Sequence, residues 1–244
     1  MQLKHPESPT PNGLLTKVLA LDHGLTQYSG SVDLATLRCV LSEATPHFGS
    51  VVMNYGMARH FNSLLELPLI VQCFGAPFTH YKFTVCGVSQ AIDLGAVGIS
   101  VQVDFDLEEE QLSQQLSSVS RIIGEAHQNK LPVMFMVSVP KEKNSANLMQ
   151  QIRFCYELGA DVIKTWLPDE SVVSEETKQQ IHDKLVKYPP VVMAGGEQSS
   201  KIVERAKFAR CLGLSGYCIG RNVYQSDNPA KVAIAMEEIW KDKI

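Results

Sequence analysis

The sequence predicts a single (β/α)8 barrel, and three observations carry that prediction. Its 244 residues match the usual size of one such barrel. Short apolar runs alternate with amphipathic stretches along its whole length, the pattern of a parallel sheet covered by helices. The runs number eight, the strand count at which a parallel sheet closes on itself. An open doubly wound sheet is the alternative, but eight consecutive parallel strands in so short a chain close more naturally into a barrel.

The runs span 18–22, 50–54, 69–74, 97–103, 133–139, 161–166, 191–194 and 216–220. Most are continuously apolar, as strands buried on both faces must be. Between the fourth and fifth, Asp106 followed by Glu109 predicts a helix cap, and Leu112, Leu116, Val119, Ile123 and Ala126 then form one apolar stripe. Asn228 and Pro229 predict the start of a last helix, whose stripe is Val232, Ala235, Met236, Ile239 and Trp240. Gly95, Gly159 and Gly213 each follow a helical stretch and precede a strand, the place for a left-handed cap. No linker divides the chain, so residues 1–244 read as one domain. Residues 1–13, polar and holding Pro6, Pro9 and Pro11, form an irregular N-terminal extension.

Hydrophobic residues make up 45% and charged residues 20%, an ordinary globular balance, and the formal net charge is -4. No basic field favours nucleic acid or an anionic membrane, which leaves a small molecule as the expected partner. The N-terminus lacks the apolar core of a signal peptide and no run is long enough to span a bilayer, so a cytoplasmic location is expected. The six cysteines are dispersed, without a CxxC pair, and read as free thiols. Seven scattered histidines show no ligand spacing, so neither a metal nor another cofactor is expected.

In such a barrel the chemistry sits where strands end at their C-terminal side. The first strand ends in Asp22 and His23, the sixth in Lys164, Thr165 and Trp166. Alternation puts Val162, Lys164 and Trp166 on one face. If that face is inward, burial lowers the amine's pKa, and a neutral amine attacks a carbonyl to form a Schiff base, an electron sink for making or breaking the adjacent carbon–carbon bond. A lysine that reaches back to water, or pairs structurally with Asp22, is the alternative. Asp22 suits orienting the amine or relaying a proton. His23 faces the other way and reads as a loop anchor rather than a base; with Trp166, Ser138 and Lys141 it completes the expected substrate-lining set. Gly195-Gly196 and Gly220-Arg221 follow strands seven and eight, where barrels commonly bind phosphate, so these four residues form the expected anion cradle. Ser199, Ser200 and Lys201 lie just beyond.

These stretches, Ala20-Leu21-Asp22-His23-Gly24, 159–165 around Lys164, Ala194-Gly195-Gly196 and Gly220-Arg221-Asn222-Val223-Tyr224-Gln225, occur together and in order. In this the chain resembles the archaeal-type class I fructose-bisphosphate aldolases of the deoxyribose-phosphate and tagatose-bisphosphate aldolase superfamily. That group includes the 2-amino-3,7-dideoxy-heptulosonate synthases and the autoinducer-2 phosphate-processing thiolase. The resemblance implies a Schiff-base role for Lys164, an active-site carboxylate at Asp22, phosphate binding by Gly195, Gly196, Gly220 and Arg221, a small phosphorylated carbonyl substrate, and a homo-oligomer. One departure stands out. The fifth strand of the aldolases carries a tyrosine that donates and accepts protons; here the run is Ser138-Val139-Pro140-Lys141, and valine transfers no proton. Tyr28, Tyr55, His23, Ser138, Lys141 or water are the replacements the sequence offers. The thiolase relatives also lack that tyrosine, so coenzyme-A-dependent acyl transfer is a second reading, and a phosphate-binding barrel without catalysis a third.

Overall fold

A computed structural model describes residues 15–25, 33–76 and 81–241; the expected N-terminal extension, 1–13, and Tyr28 lie outside them. Eight parallel strands form a closed barrel: β1 (Lys17–Leu21), β2 (Ser50–Asn54), β3 (Leu69–Gln72), β4 (Gly98–Val103), β5 (Val133–Val137), β6 (Val162–Thr165), β7 (Val191–Ala194) and β8 (Gly216–Ile219). Around the ring their order is β1, β8, β7, β6, β5, β4, β3, β2. Helices α1 (Leu34–Glu43), α2 (Tyr55–Phe61), α3 (Val88–Asp93), α4 (Glu109–Gln128), α5 (Ser145–Glu157), α6 (Glu175–Leu185) and α7 (Ile202–Cys211) follow the strands in turn, and α8 (Arg221–Tyr224) and α9 (Pro229–Ile239) close the chain.

Alternation along the strands separates two apolar layers. Val18, Ala20, Val52, Ile70, Met134, Met136, Val162, Val192 and Cys218 fill the barrel. Leu19, Val51, Val71, Ile99, Phe135, Ile163, Met193 and Tyr217 face outward and pack in the layer shared with the helices. Both faces of nearly every strand are therefore buried, each such side chain contributing about 1.5–3 kcal/mol, and this explains the continuously apolar runs. Apart from Ser50 and Ser100, the inner faces turn polar toward the C-terminal mouth, where Asn54, Gln72 and Lys164 succeed Val52, Ile70 and Val162.

Helix ends follow local chemistry in most places. Gly95, Gly159 and Gly213 have positive φ, as left-handed caps require. Asn228 accepts from the Lys231 N–H with Pro229 in the first turn. The Asp106 cap is a correction: α4 starts at Glu109 behind Glu108, and the Asp106 carboxylate instead accepts the Lys141 N–H at 2.5 Å, tying the loop after β4 to the loop after β5. Several strands also stop short of the apolar runs. Asp22, Trp166 and Gly220 lie just beyond β1, β6 and β8, and Phe74 belongs to a short antiparallel pair, Phe74–Gly75 with Phe83–Thr84, over the mouth side of β3.

Candidate active site

Lys164 is half-buried at the top of the barrel lumen, and its Nζ lies 3.8 Å from Met136 Sδ on the neighbouring strand β5. Gln72 Nε2 touches the same sulfur at 3.2 Å and donates to Asp22 Oδ2 at 3.4 Å, while Gln72 Oε1 accepts from the Phe74 N–H at 3.1 Å, which fixes the amide's orientation. Asn54 Nδ2 donates to the Asp22 carbonyl at 2.6 Å. The carboxylate and the amine are thus gathered at one place by residues from β2, β3 and β5, none of which is near them in sequence.

The charge on the amine departs from expectation. Burial lowers the pKa of Lys164, but the Cys218 sulfur, its hydrogen-bond partner, and the Asp22 carboxylate together outweigh burial, and the amine is held above the ordinary lysine value. It is therefore a cation near neutral pH, and a proton must leave before it can attack. Cys218 itself is pushed up to about 11 by burial. His23, adjoining Asp22 with Nδ1 3.8 Å from Oδ1, is lowered to about 4 by burial, against the pull of Asp22 and with the help of Lys164 and Arg221. It is neutral at physiological pH, and its ring meets Tyr224 edge-on at 5.8 Å.

The rim after β7 and β8 is tightly tied. Asn222 Nδ2 donates to the carbonyls of Gly195, at 3.0 Å, and Glu197, at 3.2 Å, and its Oδ1 accepts from the Ser199 N–H at 2.9 Å. Arg205, from α7, donates to the Gly195 carbonyl at 2.9 Å. Gly196 sits at φ +70°, where a side chain is strained, and a Cβ on Gly220 would lie 2.0 Å from the Ala20 carbonyl oxygen. Arg221 Nε is buried at this rim without a hydrogen-bond partner among the described residues. The four residues of the sequence-predicted cradle therefore adjoin one another beside His23 and Lys164.

Other expected lining residues are placed differently. The alternation that would have aligned Trp166 with Lys164 ends with β6 at Thr165; Trp166 packs in the outer layer, 2% exposed, and its Nε1 donates to Gln151 of α5 at 2.8 Å. Ser138 is half-buried, with its Oγ 3.4 Å from Gln102 Nε2. Lys141 is exposed, and Val139 is 52% exposed. Sequence reasoning passed over Asn54, Gln72, Cys218, Arg205 and Asn222. The first two had a signal, a polar residue closing an otherwise apolar strand, whereas Arg205 carries none. Among the described residues no group of three or more His, Cys, Asp or Glu side chains converges as metal ligands do, and no helix is long and apolar enough to cross a membrane.

A closed parallel barrel with a lysine amine and a carboxylate at its C-terminal mouth defines a barrel of the aldolase type. The chain belongs to the DeoC/LacD family of aldolases, whose model matches residues 16–226. It is 28% identical over 235 residues to 2-amino-3,7-dideoxy-D-threo-hept-6-ulosonate synthase 1 of Archaeoglobus fulgidus, covering 92% of this chain and 85% of the relative. It is 24% identical over 236 residues to 3-hydroxy-5-phosphonooxypentane-2,4-dione thiolase of Yersinia pestis, covering 92% and 76% respectively. Among solved structures, an archaeal fructose-1,6-bisphosphate aldolase whose catalytic lysine is covalently bound to the carbinolamine intermediate superposes with a TM-score of 0.76 at 23% identity, covering 92% of this chain and 94% of that one.

Proposed function

We propose that this protein is a Schiff-base aldolase-type lyase that makes or breaks a carbon–carbon bond in a small phosphorylated sugar or dione. The observation that carries this reading is the Lys164 amine inside the barrel mouth, in contact with two sulfurs and in the field of Asp22. Sulfur is a weak hydrogen-bond acceptor, so little competes with an incoming carbonyl once the proton has gone. Asp22 is the carboxylate that receives that proton and steadies the iminium that follows. The substrate phosphate is bound at Gly195, Gly196, Gly220 and Arg221, by backbone N–H groups and a charge-assisted contact. His23, uncharged, lines the wall between amine and cradle.

Borohydride reduction in the presence of a panel of sugar and triose phosphates is expected to leave a covalent adduct on Lys164, read by peptide mass spectrometry. Lys164→Met abolishes adduct and turnover together. A panel without any adduct overturns the reading. The exposed Val139, which brings no acid or base to the lumen, favours one second reading, acyl transfer to coenzyme A. Product formation that requires coenzyme A separates the two.

A further inference from the structure

Two cysteines meet at the base of the short antiparallel pair on the mouth side of β3. Cys73 follows Gln72, the last residue of β3, and Cys86 lies two residues before α3. Their sulfurs are 3.9 Å apart. The Cys73 carbonyl accepts from the Val85 N–H at 2.7 Å and from the Cys86 N–H at 3.5 Å, so two residues of one segment oppose one of the other. This is a β-bulge, continuing the pairing of Phe74 with Thr84 and of Gly75 with Phe83. Residues opposed across an antiparallel pair hold their Cβ atoms about 4.5–5.5 Å apart, and a disulfide asks for about 3.5–4.5 Å. Side-chain rotation and a small movement of the bulged residue therefore join these sulfurs without parting the strands.

Little else holds them. Cys73 Sγ touches the Val71 carbonyl at 3.8 Å, and Cys86 Sγ the Gly87 carbonyl at 3.3 Å. The hydrogen bond between the two sulfurs, together with burial, keeps the Cys73 thiol well above the ordinary value, and the same hydrogen bond lowers Cys86 against its own burial. Cys86 is thus the sulfur that ionises first, and Cys73 keeps its proton, the division between an attacking and a resolving thiol. Both are covered, Cys73 at 0% and Cys86 at 2% exposed, so the oxidant must be small, which favours a hydroperoxide over a bulky disulfide.

The pair is wired to the site. The Cys73 N–H donates to the Ser100 carbonyl of β4 at 2.9 Å. Cys73 also joins Gln72 to Phe74, whose N–H fixes the Gln72 amide that contacts Asp22 and Met136. Farther along the same segment the Ala76 N–H donates to the Leu25 carbonyl at 2.6 Å, just past Asp22 and His23. Drawing Cys73 toward Cys86 consequently displaces the Gln72 amide. We infer that Cys73 and Cys86 form a redox modification site, oxidised by a hydroperoxide to an intramolecular disulfide and restored by thiols, which withdraws Gln72 from Asp22 and lowers activity at Lys164. The effect on activity rests on the function proposed above, whereas the oxidation does not.

In the reaction the Cys86 thiolate attacks one peroxide oxygen, the oxygen–oxygen bond breaks, and a sulfenic acid and hydroxide form; the hydroxide takes up the proton that Cys86 had released. The Cys73 sulfur then attacks the sulfenic sulfur, its proton leaves with the departing hydroxyl as water, and the disulfide closes. Two thiols and one hydrogen peroxide give one disulfide and two waters.

The test uses the full chain, reduced, then treated with hydrogen peroxide and digested by trypsin with free thiols blocked. Trypsin cuts after Lys82, between the two cysteines, so the disulfide joins peptides 60–82 and 83–121, and dithiothreitol separates them. On the same samples, the rate of borohydride-trapped adduct formation between Lys164 and dihydroxyacetone phosphate is expected to fall about tenfold or more on oxidation, the worth of one hydrogen bond to a charged group, and to recover with dithiothreitol. Cys86→Ser, shown folded by circular dichroism, keeps its reduced rate after peroxide; Cys73→Ala serves if it does not fold. Unlinked peptides at a peroxide dose that oxidises the exposed Cys39 and Cys211 overturn the assignment. A disulfide that leaves the adduct rate unchanged overturns its effect on the site. Equal inhibition of Cys86→Ser also overturns it, placing the damage at Cys218 or Met136. Absence of the adduct from the reduced wild-type protein overturns the aldolase reading instead, while the linked peptides still decide the cysteine pair.

Discussion

The two rims of the barrel mouth are built on opposite principles. After β7 and β8 the loop carbonyls are spoken for: Asn222 and Arg205 hold the Gly195 carbonyl, and Asn222 also takes Glu197 and Ser199. On β2 and β4, across the mouth, Asn54 Oδ1, Ser100 Oγ and Gln102 Oε1 are buried without a hydrogen-bond partner among the described residues. On the first rim the loop backbone is fixed, and the unmet group there is a donor, Arg221 Nε, without a partner among the described residues. The second rim carries unmet hydrogen bonds, mostly acceptors, at the expense of stability, and a ligand hydroxyl that met them would be selected for.

The largest expected effect lies on the first rim. In Gly220→Ala the new methyl meets the Ala20 carbonyl oxygen at 2.0 Å and His23 Cε1 at 2.5 Å, and since one of these is backbone, the β1–β8 seam must move. A loss of about 3 kcal/mol or more in denaturant unfolding is expected, and an unchanged midpoint would show that the seam is not rigid. Next comes a paired test of the contrast itself. Asn222→Ala leaves the Glu197 carbonyl and the Ser199 N–H unpaired, with the Gly195 carbonyl kept by Arg205, and is expected to cost about 1–3 kcal/mol, with a raised KM for a phosphorylated substrate. Gln102→Leu removes an acceptor with no partner among the described residues and one long contact, Nε2 to Ser138 Oγ at 3.4 Å, so its stability should stay within about 1 kcal/mol of wild type while substrate discrimination declines. If both variants lose stability equally, the comparison fails.

The smallest effect concerns pH. His23 is lowered from 6.5 to about 4 in the folded state, so the unfolded chain binds its proton more readily than the folded one. The stability linked to His23 is complete above pH 6.5 and is lost as pH falls toward 4, on the order of 1–3 kcal/mol across that window. His23→Asn should flatten this part of the stability profile measured by denaturant midpoints, and equal slopes in the two proteins would remove His23 as its source.

Much of this design is written locally. The strand runs are legible because each must be apolar on both faces, and Gly95, Gly159, Gly213 and Asn228 mark helix ends by chemistry confined to a few residues. The neighbourhood of Asp22, Lys164 and the paired glycines was also legible, since ring closure brings strands 1, 6, 7 and 8 together. Asp106 and Trp166 misled for one reason: each has a local pattern, a cap or an alternation, that a contact distant in sequence overrides, Lys141 for the first and Gln151 for the second.

By itself, then, the sequence determined the number of strands, where several helices end, and which end of the barrel carries polar groups, because these follow from the apolar runs and from the backbone's need for caps. Only the tertiary structure decided the state of those groups. The charge on Lys164 is set by Cys218 and Asp22 against burial, and the neutrality of His23 by its burial. Electrostatic energies depend on distance and on the exclusion of water, and neither quantity exists until strands far apart in the chain have closed into a ring.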